Sequence, residues 1–251
     1  MSIYALADLH LPFGAPEKTM EFFGPSWHRY TERIEEAWKN TIKDTDLILL
    51  PGDISWAMTP EQAEKDLLWI DALPGTKLML KGNHDYWWAS LSKVKKVLPP
   101  SIHLIQNNVF NWNGFSIGGS RLWDTPEYTF GAYIQYKENP KQKAMESHEA
   151  PEEAEKLFVR ELQRLEMSLA GLDPHAKKRI AMTHYPPIGA DLKPSRASAL
   201  LEKYKVDCCV FGHLHNVKEQ SLPFGEKNGV RYLLTSADYL AFQPFRLFIS
   251  E

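Results

Sequence analysis

The stretch Lys77-Leu78-Met79-Leu80-Lys81-Gly82-Asn83-His84-Asp85 is an apolar run that ends in a glycine, an amide, an imidazole and a carboxylate. Four other stretches repeat the design. Ser2 to Ala7 delivers Asp8-Leu9-His10, Leu47-Ile48-Leu49-Leu50 delivers Pro51-Gly52-Asp53, Arg179 to Met182 delivers His184, and Val206 to Phe211 delivers Gly212-His213-Leu214-His215. Short apolar runs without alternation are strands covered on both faces. In such sheets, ligands bind at the carboxyl ends of the strands. Five strand ends bearing metal-type side chains therefore converge on one rim.

Between these runs the apolar period changes from continuous to helical. Tyr30, Ile34, Trp38 and Ile42 form one stripe. Thr59-Pro60-Glu61 opens a helix that runs to about Ala72, with a hydroxyl to cap it and proline in the first turn. Ala89 to Leu98 reads as a short helix. A long one starts near Pro151, with Phe158, Leu162, Leu165 and Leu169 on its buried face, and Ser198 to Tyr204 is helical. Ile102–Ile105, Val109–Trp112 and Phe115–Ile117 read as strands of a second sheet or of the outer part of the first, and Asn113-Gly114 is a hairpin turn. Arg231–Leu234 and Phe245–Ile249 are closing strands. Strands alternating with helices, with no repeat or linker, predict one α/β domain over residues 1–251. Residues 123–150 lack clear periodicity, and Tyr128, Phe130, Tyr133 and Tyr136 make them a candidate lid or insertion.

Composition sets limits. The 251 residues are 43% hydrophobic and 24% charged, ordinary for a globular chain. The only cysteines, Cys208 and Cys209, are adjacent in an apolar run and read as small buried hydrophobes in a reducing compartment. The N-terminal segment lacks the basic region of a signal peptide, and no run approaches the roughly 18–20 residues of a membrane span. These features predict a cytoplasmic protein with no membrane span. A net charge of −3 gives no bulk attraction to nucleic acid.

Hard oxygens mixed with imidazoles suit divalent first-row metals better than an all-oxygen calcium cage or a thiolate zinc site. The clusters hold enough ligands for two ions. In extended backbone, residues i and i+2 point the same way, which accounts for Asp8-x-His10 and His213-x-His215. Asp53, alone between two ligand-rich clusters, is the bridge candidate, and Asn83 offers a neutral oxygen. Two ions roughly 3.5–4 Å apart would activate a water held between them and take up charge developing on phosphoryl oxygens. Five of the nine histidines lie in these clusters; His28, His103, His148 and His175 lack such surroundings and read as surface or packing residues.

The ordered set Asp-x-His, Gly-Asp, Gly-Asn-His-Asp, His, Gly-His-x-His resembles the signature of the calcineurin-like metallophosphoesterases, specifically the small prokaryotic phosphohydrolases. The resemblance implies a four-layer α/β/β/α sandwich of two mixed sheets with a dinuclear centre. It implies that Asp8, His10, Asp53 and His215 hold one divalent ion, of manganese, iron, zinc or cobalt, and that Asp53, Asn83, His184 and His213 hold the other. His84 would act on the phosphoryl or leaving group, with Asp85 orienting it. Trp56 stands where many members carry a charge, and Asp85 where protein phosphatases carry Glu. Both departures point away from the protein phosphatases.

The substrate side is less constrained. Trp56, Trp87, Trp88 and Trp123 read either as an aromatic rim for the substrate or as packing beneath the loops. Arg121 reads as the phosphate-binding cation or as a surface ion-pair partner. The expected activity is hydrolysis of a small phosphomonoester or phosphodiester by in-line attack of a hydroxide bridging the two ions. A nuclease acting on nucleic-acid ends and a non-catalytic scaffold on the same fold are the alternatives.

Overall fold

The computed structural model describes residues 1–135, 151–219, 221 and 223–249. Alternation along each strand decides the layers. In β2 (Leu47–Pro51), Leu47 and Leu49 face the second sheet while Ile48 and Leu50 face helices. All four are fully buried. Burying a side chain of this size contributes about 1.5–3 kcal/mol, and a strand covered on both faces gains on each.

The first sheet runs β11 (Phe245–Ile249), β1 (Ser2–Ala5), β2, β3 (Thr76–Leu80), β4 (Ile102–Ile105), with only β11 antiparallel to its neighbour. The second runs β5 (Val109–Trp112), β6 (Phe115–Ser120), β7 (Lys178–Thr183), β8 (Cys208–Phe211), β10 (Val230–Leu234), β9 (Gly225–Lys227), with the two edge strands antiparallel. The open alternative for Ile102–Ile105 is thereby settled: β4 pairs with β3, and the second sheet begins at β5. Helices α1 (Tyr30–Thr41), α2 (Pro60–Asp71) and α3 (Leu91–Val97) cover the first sheet, and α4 (Pro151–Ala170) and α5 (Arg196–Lys203) cover the second. Ile3, Leu78, Ile180 and Val210 fill the layer between the sheets. The result is an α/β/β/α sandwich of two mixed sheets.

Local chemistry sets the helix ends. Thr59 accepts from the Gln62 amide and Pro60 occupies the first turn of α2, as the sequence predicts. Ser195 and Ser198 form a reciprocal cap that starts α5 at Arg196, two residues before the sequence pattern places it. Short 3-10 turns at Met20–Phe23 and Pro25–Trp27, and strand β9, have no clear apolar period and are not predicted. The Asn113-Gly114 turn has φ of 47° and 84°, and it joins β5 to β6 as expected. Of the candidate lid, residues 123–135 fasten to the segment after β8: Gln135 N–H donates to the Asn216 carbonyl at 2.8 Å and Lys218 N–H to that of Tyr133 at 2.9 Å. Residues 136–150, including Tyr136 and His148, lie outside the described residues.

Candidate metal centre

The loops leaving β1 and β2 are knitted side by side. Asp8 N–H donates to the Gly52 carbonyl at 3.0 Å, His10 N–H to Asp53 at 2.9 Å, and Leu11 N–H to Ile54 at 2.9 Å. The side chains converge, but not through extended backbone. Asp8, His10, Asp53 and His213 all have left-handed φ, at 59°, 46°, 52° and 74°. The i, i+2 expectation is corrected: the backbone turns sharply at these four candidate ligands themselves. Such conformations are strained for non-glycine residues and cluster at functional sites. Close approach also explains two glycines. A Cβ on Gly82 would lie 2.0 Å from Asp53 Oδ1, and one on Gly212 would lie 2.4 Å from Asp8 Oδ2.

Two groups of donor atoms result, each drawn within 4.8 Å: Asp8, His10 and His215 in one, Asp8, Asp53 and His184 in the other. Asp53 Oδ2 lies 3.7 Å from His10 Nε2 and 3.5 Å from His184 Nε2, so it faces both. Asn83 Oδ1 is 2.6 Å from His184 Nε2 and 3.1 Å from His213 Nδ1. His10 Nε2 and His215 Nε2 face each other at 3.3 Å. Asp8, His10, Asp53 and His184 are buried, whereas Asn83, His84, His213 and His215 border solvent.

The tautomers show what these atoms require. His184 Nδ1 lies 3.0 Å from the Pro51 carbonyl and is its donor, which leaves a lone pair on Nε2. That lone pair points at Asn83 Oδ1 and Asp53 Oδ2, both acceptors. Acceptors packed this closely repel unless a cation lies among them. The residues therefore fit a divalent metal. His215 Nδ1 is likewise committed to Asp238 Oδ1 at 2.8 Å, directing Nε2 inward.

Burial sets the charge states. It holds His10 and His184 well below the usual imidazole value and His213 down to about 3, aided by neighbouring histidines. His84 falls to about 4 for the same reason. Neutral imidazoles present lone pairs. Burial raises Asp8 to about 6 and Asp53 well above the carboxylate range; for Asp53 the nearby Asp85 and Asp8 add to the effect. His215 is the exception. Burial opposes its charge, but Asp238, Asp8 and Asp53 outweigh burial and lift it to about 9.

The family profile of the calcineurin-like phosphoesterases matches residues 1–217. The chain belongs to that family. The fold agrees with that of the Mycobacterium tuberculosis phosphopantetheinyl hydrolase, which aligns over 98% of this chain and 95% of its own, at 13% identity and TM-score 0.54. A protein of unknown function from Aquifex aeolicus, AQ665, covers 98% and 95% at 15% identity and TM-score 0.46. Among curated proteins, none matches the chain.

This calcineurin-like phosphoesterase departs from the sequence expectation at Asp85. Its Oδ1 accepts from Ile54 N–H at 2.9 Å, Ser55 N–H at 3.2 Å and the Trp87 indole at 2.9 Å, and its Oδ2 from Gly82 N–H at 2.7 Å. The carboxylate staples the β2 and β3 exit loops together and does not hold the His84 ring. Trp87 is fully buried as its partner, so it belongs to the core and not to a substrate rim. Trp88, 3% exposed, also packs in that core.

Trp56 stacks on His10 at 4.7 Å and lies 4.9 Å from His84, forming one wall of the centre. Trp123 packs 5.3 Å from Tyr185, which in turn lies 4.1 Å from His213. The Arg121 guanidinium stands 4.4 Å over the Trp123 ring, and its carbonyl receives the His184 and Tyr185 amides. Asp238 was not singled out by sequence. The signal exists, since it follows β10 as the candidate ligands follow their strands, but it lies beyond the span of the motif set.

Proposed function

We propose that this chain is a metal-dependent phosphohydrolase of phosphomonoesters or phosphodiesters, holding two divalent ions. The observation that carries it is the His184 Nε2 lone pair aimed at acceptor oxygens, Asn83 Oδ1 at 2.6 Å and Asp53 Oδ2 at 3.5 Å. Asp8, His10, Asp53 and His215 would hold one ion and Asp53, Asn83, His184 and His213 the other. When bound, such ions supply Lewis acidity, lowering the pKa of water and neutralising charge on phosphoryl oxygens.

The chain's own groups do the rest. His84, tied through its backbone N–H to Asp53 Oδ1 at 2.8 Å, borders solvent beside the centre and is the group that contacts the phosphoryl oxygen or the leaving oxygen. Its neutral imidazole donates a hydrogen bond from one ring nitrogen. Trp56 excludes water from the His10 side. On the other side, Trp123, Tyr128, Phe130 and Tyr185 line a recess of about 200 Å³ that suits an apolar or aromatic leaving group. Among the described residues no helix is long and apolar enough to cross a membrane. With Cys208 and Cys209 free and buried, a reducing cytoplasm and a small phosphoester substrate suit the chain.

Purified protein with Mn²⁺ should hydrolyse p-nitrophenyl phosphate or its bis-ester. His84→Ala should lower kcat by about 10²–10⁴-fold while metal stays bound. Absence of metal-dependent turnover across a broad phosphoester panel would sink the proposal.

A further inference from the structure

Glu161, on the buried face of α4, is 1% exposed, and three guanidiniums surround it. Arg164 Nη1 lies 2.6 Å from Oε1, Arg160 Nη2 3.6 Å and Arg121 Nη2 3.7 Å. One buried carboxylate is balanced by one cation, so among the described residues the cluster carries surplus positive charge whose members repel each other. An ion network made only for stability has no use for the surplus. Arg160 and Arg164 are about half exposed, at 50% and 43%, so their remaining donors face solvent.

The cluster adjoins the metal centre. Arg121 directly follows β6, and its carbonyl receives the amides of His184 and Tyr185 at 3.1 and 3.0 Å. Ser120 Oγ donates to the Glu161 carbonyl at 3.1 Å, holding α4 against that strand exit. Lys81, which leaves β3 just before Gly82, lies within the electrostatic reach of both Arg121 and Glu161. Guanidinium forks match phosphate oxygens in geometry, and a shared buried carboxylate orients several forks before any ligand arrives.

We propose that Arg121, Arg160 and Arg164, fanned around Glu161 beside the metal centre, form a subsite for a second, non-scissile phosphate of the substrate. The preferred substrates are then diphosphates or bisphosphates. This rests on the phosphohydrolase reading above for its use in turnover, but the anion site itself is separately measurable.

Mn²⁺-loaded protein is compared on adenosine 5′-monophosphate, adenosine 5′-diphosphate and adenosine 3′,5′-bisphosphate. The wild type should favour a substrate with the second phosphate, and Arg160→Gln/Arg164→Gln should reduce that preference about tenfold or more, through KM. Raising the salt concentration should erode the preference in the wild type and leave the variant flat. In parallel, calorimetry without added metal measures inorganic pyrophosphate binding, which should weaken at least tenfold in the variant. Weakened pyrophosphate binding in a protein that turns over none of these esters keeps the subsite and removes the phosphohydrolase reading. Unchanged preference and unchanged pyrophosphate binding, with only a lowered Tm, would show a structural ion network and overturn the proposal. The single variants Arg160→Gln and Arg164→Gln, at half-exposed positions, carry the same test if the double variant fails to fold.

Discussion

Replacing Asp238 by Asn keeps the side chain's shape and removes its charge. In the native fold Oδ1 accepts from His215 Nδ1–H at 2.8 Å and Oδ2 accepts from Asn216 N–H at 2.9 Å. An amide has one oxygen, so one of those donors must face an NH₂ group. If it is His215, the ring loses the bond that fixes its tautomer and aims Nε2 toward His10. Hydrogen bonds to charged groups are worth about 1.5–3 kcal/mol. Removing such outer partners of ligating histidines costs about 10–100-fold in metal affinity, and tenfold is about 1.4 kcal/mol, so the two scales agree. The expected result is a Kd for Mn²⁺ or Co²⁺ raised by about one to two decades, read by calorimetry or by Co²⁺ absorption. Asp46→Asn is the control: the Asp46 carboxylate also uses both oxygens, accepting the Ser2 amide at 2.7 Å and the Lys43 amide at 2.9 Å, but has no candidate ligand histidine as partner. Its metal affinity should not move. A folded Asp238→Asn protein with wild-type metal affinity would refute the role assigned to Asp238.

Two further outcomes follow from the same geometry. Gly82→Ala puts a Cβ 2.0 Å from Asp53 Oδ1 and 2.2 Å from its backbone nitrogen, so the loops must part; stability should fall by about 1–3 kcal/mol and metal binding should be lost, whereas a Tm at or above wild type would show the loops to be pliant. Asp66, buried against Ser55 and the amides of Phe13 and Gly14, has its pKa raised by burial from 3.8 to about 6. A carboxyl raised in the fold costs stability above its folded pKa, here about 3 kcal/mol, and that cost is relieved as pH falls from about 6 toward 4. Asp66→Asn removes the cost, so its Tm relative to wild type should be more favourable at pH 8 than at pH 5. Parallel Tm curves across that range would contradict the assignment.

The positions of the site were legible because strand ends follow directly from apolar runs. Asp8, Asp53, Asn83, His184 and His213 each stand where such a run stops, and parallel pairing brings those ends to one rim. The helices were legible for a like reason: Thr59-Pro60 and the Phe158–Leu169 stripe are local signals. Orientation was not local. Nothing in Asp85 reveals that four donors from two loops consume both its oxygens, or that Trp87 is one of them.

Sequence by itself determined the α/β order, the candidate ligand residues and their placement at strand exits, since hydrophobic period and residue chemistry act over a few positions. Tertiary structure alone decided the partners. Asp238 meets His215 from 23 residues away, Arg121 meets Glu161 from another element, and β4 joins the first sheet while β5 opens the second. Those pairings depend on how strands pack and loops turn, including the left-handed φ at four of the candidate ligand positions. Residue identity specifies what a side chain can bind; the packed fold specifies what it meets.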